Sequence, residues 1–202
     1  MAVPARELYD QHAEEFDADT NLEALPDEFH TLLSSFVDSL AGPAILDAGC
    51  GPGRDIEYFY ERDLDPVGVD IARGMVERAR AHRPGKYLQM DVRDLAFRDG
   101  RFDGIWCPAT IFFVPTAEMA TVVSGFSRVL APDGIARVGF KLGEGPLEVE
   151  KWGATTMEYH VPEEQARTLL EGAGFRVDSV SVNPVSPQRT FANFLCRQAN
   201  RE

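Results

Sequence analysis

Apolar residues recur at helical spacing along two N-terminal stretches, 5–17 and 27–40. Leu8, His12, Glu15 and Phe16 share a stripe in the first, and Phe29, Leu32, Leu33, Phe36 and Leu40 in the second. Asp19-Thr-Asn21 and Pro26 supply the turn between them. After Gly42-Pro43 the pattern changes to short apolar runs separated by helical segments. Strands are expected at Ala44-Ile-Leu46, Val67-Gly-Val69, Tyr87-Leu-Gln-Met90, Phe102–Trp106 and from Asp133-Gly134 to Phe140. Helices are expected near 54–62, 73–82 and 117–130, the last with Met119, Val122, Val123, Phe126 and Leu130 on one side. A helix over 162–172, closed by Gly172 and Gly174, precedes two final strands near 175–182 and 190–197.

Strands alternating with helices imply right-handed crossovers and a parallel sheet. The last two strands break that rule. Asn183-Pro-Val-Ser-Pro187 joins them in about seven residues, too short for a parallel crossover, so they form a hairpin. The fold class is therefore α/β with a mixed sheet. At 202 residues the chain is expected to form one domain: a helical cap over 1–41, a core over 42–140, and an insertion plus C-terminal helix and hairpin over 141–202.

Composition removes several classes. The chain carries 20 Lys+Arg against 33 Asp+Glu, a net charge of −13, the wrong sign for neutralising phosphates, so no nucleic-acid partner is expected. Apolar runs such as Ile111-Phe-Phe-Val114 are far short of the roughly 20 residues that span a bilayer. No basic region precedes an apolar N-terminal segment. No membrane partner and a cytoplasmic location are the expectation. Cys50, Cys107 and Cys196 form no C-x-x-C pair and the four histidines no H-x-x-x-H pattern, so neither a disulfide framework nor a metal site is expected.

The most informative segment is Ile45-Leu-Asp-Ala-Gly-Cys-Gly-Pro-Gly-Arg-Asp55. Gly49, Gly51 and Gly53 permit a tight strand-to-helix turn and close approach of backbone to a ligand. The spacing fails the dinucleotide pattern G-x-G-x-x-G, because Arg54 stands where the third glycine belongs, and no P-loop Lys follows. Three acids end successive strands. Asp47 suits a cationic group rather than a pyrophosphate, Asp70 can take two ribose hydroxyls, and Asp91 can accept from the exocyclic amine of a base. A ligand with ammonium, ribose and adenine and no phosphate fits all three.

Asp47-x-Gly-Cys-Gly-Pro-Gly53, Val69-Asp70-Ile71 followed by Met75, Asp91-Val92 and Phe102-Asp103-Gly-Ile-Trp106 resemble the successive motifs of class I S-adenosylmethionine (SAM)-dependent methyltransferases. The resemblance runs from about residue 44 to 140. It implies a Rossmann-like seven-stranded sheet of order 3-2-1-4-5-7-6 with strand 7 antiparallel, and SAM as cofactor with S-adenosylhomocysteine (SAH) as product. It implies that the glycine loop with Gly49, Cys50, Gly51 and Gly53 holds the methionine part, Asp70 binds ribose, Asp91-Val92 frames adenine, and the strand-four tip at Cys107-Pro108 closes near the sulfonium, with Asp47, Arg54, Ile71 and Met75 as further cofactor-binding candidates. Trp106–Pro115 resembles a small-molecule branch, with Phe113 where relatives often carry His.

The expected activity is methyl transfer to O, N or S of a small metabolite, by a monomer or homodimer. The rivals are a SAM-sensing module, and aminopropyl or nucleic-acid methyl transfer on the same fold. His12 and His160 are the candidate bases. Tyr9, Phe16, Phe112, Phe113, Trp152 and Tyr159 divide between core packing and an acceptor pocket. Lys141 either binds an acidic acceptor or lies on the surface.

Overall fold

The run that follows Gly42-Pro43 forms β1 (Ala44–Ala48), and its alternation sets the layers. Ile45 faces one side of the sheet while Leu46 and Ala48 face the other. The computed structural model describes residues 2–186 and 189–199. Three helices precede β1: α1 (Ala5–Gln11), α2 (Ala13–Asp19) and α3 (Asp27–Asp38). Then come α4 (Arg54–Tyr60), β2 (Asp65–Asp70), α5 (Arg73–His82), β3 (Lys86–Gln89) and β4 (Phe102–Cys107). The remainder is α6 (Thr116–Val129), β5 (Leu130–Leu142), β6 (Gly145–Lys151), β7 (Ala154–His160), α7 (Glu163–Gly172), β8 (Phe175–Ser186) and β9 (Arg189–Gln198).

Seven strands make one sheet of order β3-β2-β1-β4-β5-β9-β8. The first five are parallel, and β9 runs antiparallel between β5 and β8. This is the Rossmann-like order expected from the sequence, with the reversed strand where the short final link requires it. On one face, Leu32, Leu33 and Phe36 of α3 and Tyr58 and Phe59 of α4 pack on Ile45, Trp106 and Ile135. On the other, Met119, Val122, Val123 and Phe126 of α6 and Ala166 and Leu170 of α7 cover Leu46, Ile105, Val138 and Phe194.

Three local features depart from the sequence pattern or are not read from it. The helix expected over 5–17 is two helices, because the chain turns at His12 (φ −119°, ψ 31°). The final hairpin is tighter than expected: Asn183–Ser186 continue β8, although the tip of the hairpin lies outside the described residues. The 141–161 insertion is a separate antiparallel ribbon of β6 and β7, in register from Gly145–His160 to Lys151–Ala154. Val3 joins this ribbon, its N–H donating to the Thr155 carbonyl at 2.8 Å while the Thr156 hydroxyl donates back to the Val3 carbonyl at 2.9 Å. Among the described residues no helix is long and apolar enough to cross a membrane.

Candidate active site

The parallel strands β1, β2 and β4 end together on one rim, and the loops after them bound two adjoining cavities of about 720 and 400 Å³. Both are bordered by Gly49, Asp70, Ile71, Thr110 and Phe113. The glycine loop turns as its composition demands. Gly49, Gly51 and Gly53 have φ of 86°, 53° and 89°, conformations strained for any residue with a Cβ. A Cβ on Gly49 would also lie 1.8 Å from the Thr110 hydroxyl.

Asp70 ends β2 with its carboxylate fixed from below. Gly51 N–H donates to Oδ2 at 2.9 Å and Ala72 N–H to Oδ1 at 2.8 Å. Burial nevertheless raises its pKa to about 6, against the pull of those donors. Each oxygen keeps a lone pair for a ligand hydroxyl. Asp47 is 2% exposed, and its Oδ2 has no hydrogen-bond partner among the described residues. Burial first, then the nearby Asp55 charge, pushes its pKa well up. A buried carboxylate oxygen left unmet is costly, and a cationic donor arriving from the cavity removes that cost. Asp55 itself is satisfied: Arg54 grips it with Nε–Oδ1 at 2.6 Å and Nη2–Oδ2 at 3.0 Å, and Trp106 Nε1 donates to Oδ2 at 2.8 Å. Arg54 also reaches the Thr20 carbonyl, at 3.1 Å, and so ties the segment after α2 to the rim.

The smaller cavity is bordered by Met90, Asp91, Val92 and Tyr159 and by residues 2–6. Asp91 is held by Arg93, whose Nη2 lies 2.5 Å from Oδ2 and which also pairs with Glu118. The larger cavity is lined by Tyr9, Phe16, Cys50, Gly51, Arg54, Met75, Phe112, Phe113 and Lys141. Lys141 is 4% exposed, so it is not a surface residue. Its Nζ lies 2.5 Å from Glu158 Oε1 and 4.3 Å from the Phe112 ring centroid.

The remaining sequence candidates stand off the cavity walls. Gly53 opens α4 against Tyr87, whose hydroxyl would lie 2.5 Å from a Cβ there. Cys107 is fully buried, and burial pushes its thiol up to about 12, so it is an inert packing group. Its neighbour Pro108 meets the cavity instead. His12 stacks on Trp152 at 5.3 Å between centroids and sits 3.6 Å from Glu15. His160 lies behind the wall, with Nε2 3.3 Å from Glu158 Oε2. Trp152 packs outside, against Tyr9 and Phe16. Neither histidine nor Trp152 lines either cavity.

Several lining residues carried no motif: Thr110, Lys151, Asn183, Phe191 and Asn193. Asn193 had a readable signal, as a polar residue within the apolar run Phe191-Ala-Asn-Phe-Leu-Cys196. Lys151 Nζ contacts the Tyr9 hydroxyl at 2.9 Å, and burial raises the pKa of that phenol. Among the described residues no group of three or more His, Cys, Asp or Glu could hold a metal ion.

Residues 45–134 match the methyltransferase domain family. The chain is 30% identical over 128 residues to a ubiquinone biosynthesis O-methyltransferase of Chromobacterium violaceum, covering 59% of this chain and 54% of that one. It spans about half the length of the curated relatives it matches. Among solved structures, the Burkholderia thailandensis 1,6-didemethyltoxoflavin-N1-methyltransferase, with bound 1,6-didemethyltoxoflavin and SAH, superposes with a TM-score of 0.71 at 18% identity, covering 99% of this chain and 92% of that one. The [4+2]-cyclase SpnF superposes with a TM-score of 0.76 at 16% identity, covering 100% and 98%. Strand order and the glycine loop with its three rim acids agree with the domain match over residues 45–134, and in these features the chain is similar to the class I SAM-dependent methyltransferases.

Proposed function

We propose that the chain binds SAM across the two cavities and transfers its methyl group to an oxygen, nitrogen or sulfur atom of a small molecule. The observation that carries this is the unmet, buried Oδ2 of Asp47 beside the backbone-braced carboxylate of Asp70. One asks for a cation and the other for hydroxyls, and the smaller cavity beside them offers Asp91 and Val92 to a flat base. When bound, SAM supplies a methyl group on a positively charged sulfur.

The chain's own residues orient, desolvate and exclude. Asp47 would hold the ammonium, Asp70 the ribose hydroxyls, and Val92 one face of the base. Arg93 already occupies Asp91, so a base amine there would share an oxygen with a guanidinium. Tyr9, Phe16, Phe112 and Phe113 keep water from the space beside Pro108. Methyl transfer from a cationic sulfur neutralises charge, so alignment in a dry site supplies much of the effect, on the order of 7–11 kcal/mol. With both histidines off the cavity walls, we assign neither as a base in contact with the acceptor. An acceptor that is already nucleophilic at neutral pH suits this site best.

The test is calorimetric titration with SAM and SAH. Both are expected to bind, and Asp70→Ala is expected to weaken SAH by about 1–3 kcal/mol through loss of charged hydrogen bonds. Absence of binding to folded protein would overturn the proposal. Binding of SAH with no turnover on any acceptor would favour a SAM-binding module instead.

A further inference from the structure

The larger cavity has a floor of its own beyond the rim acids. In the register of β5, β9 and β8, Lys141 stands opposite Phe191, which stands opposite Asn183. Two residues along, Gly139 stands opposite Asn193 and Asn193 opposite Ser181. Residues directly opposed, and residues two apart on one strand, share a face of a sheet. These six positions therefore form two rows on one face, and Lys141, Phe191, Asn183 and Asn193 all line the cavity.

Two amides on this floor are incomplete. Oδ1 of Asn193 and Oδ1 of Asn183 are buried and have no hydrogen-bond partner among the described residues, and Asn193 is only 6% exposed. Asn193 also lies beside the tip of β4. A Cβ built on Gly139 would sit 1.9 Å from the Pro108 carbonyl oxygen and 2.9 Å from Asn193 Oδ1, so the two oxygens flank one point. The adjoining wall is aromatic, with Phe112 and Phe191 meeting edge to face at 5.7 Å. Flat walls and two unmet acceptors describe a ligand that is a ring bearing N–H or O–H groups.

We propose that this floor is the acceptor subsite of the site described above, and that it selects an aromatic or heteroaromatic ring carrying a hydrogen-bond donor. Asn193 accepts from the N–H or O–H nearest the β4 tip, and Asn183 accepts from a second donor further along β8. The inference rests on the SAM-binding reading, which places the tip of β4 beside the transferred methyl group. A site whose buried acceptors are filled only by a donor rejects the isostere that lacks one, since the unmet oxygens then stay unmet.

The test uses protein saturated with SAH and three size-matched probes: phenol, aniline and toluene. Binding of each is measured by ligand-observed NMR in the wild type, Asn193→Leu and Asn183→Leu. The expected result is that phenol and aniline bind about tenfold or more tightly than toluene. Asn193→Leu should abolish that preference while leaving SAH affinity unchanged. If Asn193→Leu fails to fold, Asn193→Asp keeps the test open: it retains acceptor oxygens and should retain the preference. Equal binding of toluene, binding of none of the three, or a preference that survives Asn193→Leu would overturn the subsite. Failure of the wild type to bind SAH would instead overturn the SAM-binding reading, and the two failures are told apart by that first measurement.

Discussion

Asp70 is asked to stay ionised in a place that disfavours charge, and the conflict has a readable pH signature. Burial holds its pKa near 6 in the free protein, while the Gly51 and Ala72 N–H groups pull the other way. Hydroxyl donors from a bound ribose would add to the pull and lower it further. The free form then holds its proton up to a higher pH than the bound form, so binding releases a proton below about pH 6. SAH affinity should be flat above neutrality and weaken as pH falls through 6. Calorimetry across that range checks this, and Asp70→Asn should remove the Asp70 part of the slope, leaving any contribution from Asp47. A slope unchanged in the variant would move the titration to another group. The same carboxylate, taken in the folding equilibrium, has a pKa raised above its ordinary 3.8. Its contribution to stability is therefore greatest at low pH and is lost as pH rises through 6.

At the scale of elements, the two N-terminal helices are tied to α5 by polar contacts. Asp10 Oδ1 accepts from Gly74 N–H at 2.8 Å. Asp17 Oδ2 pairs with Arg78 at 2.8 Å and Oδ1 with Arg83 at 2.6 Å, while Arg83 continues to the Pro52 carbonyl in the glycine loop. Burial alone would raise the Asp17 pKa, but the two guanidinium groups outweigh it and lower it. This support is thus present at neutral pH and lost as pH falls through the acid range. Asp17→Ala leaves a largely buried Arg83 with only Glu57, at 3.3 Å, and the Pro52 carbonyl, and should cost about 1–2 kcal/mol in urea unfolding. It should also speed proteolysis between residues 5 and 19. An unchanged cleavage rate would show that the aromatic contacts of Tyr9 and Phe16 hold these helices alone.

Elements and rim acids were legible from the chain because each rests on local chemistry: Gly49 on a backbone turn, Asp47 and Asp70 on strand ends, the reversed strand on a link too short to cross over. The acceptor floor was not, because Asn183 and Asn193 belong to a hairpin distant in sequence from Lys141, and only the register of three strands puts them on one face. His12 and His160 stand off the cavity walls for reasons the sequence does not carry. A titratable side chain is visible in a sequence, whereas the Trp152 ring covering one and the Glu158 carboxylate in front of the other are not.

Over the whole molecule, the site is bordered by parts far apart in the chain. Val3 is stitched to β7, residues 2–6 border the smaller cavity, and α1 meets the β6–β7 ribbon through the Lys151–Tyr9 contact. At the ribbon's tip Trp152 is held at φ 47°, in the left-handed region that bulky residues avoid. Its ring presses on Tyr9, His12 and Phe16 at 5.6, 5.3 and 6.1 Å between centroids. The other tryptophan of the sequence, Trp106, is fully buried with its indole N–H on Asp55. The two fluorophores thus report on different things, one on the core and one on the seam between ribbon and helices. In Trp106→Phe protein, the ultraviolet emission of a single indole becomes an optical gauge of that seam. SAH should change its colour or brightness if ligand entry parts the seam, and a spectrum indifferent to ligand would mean that the seam stays shut while the cavities fill.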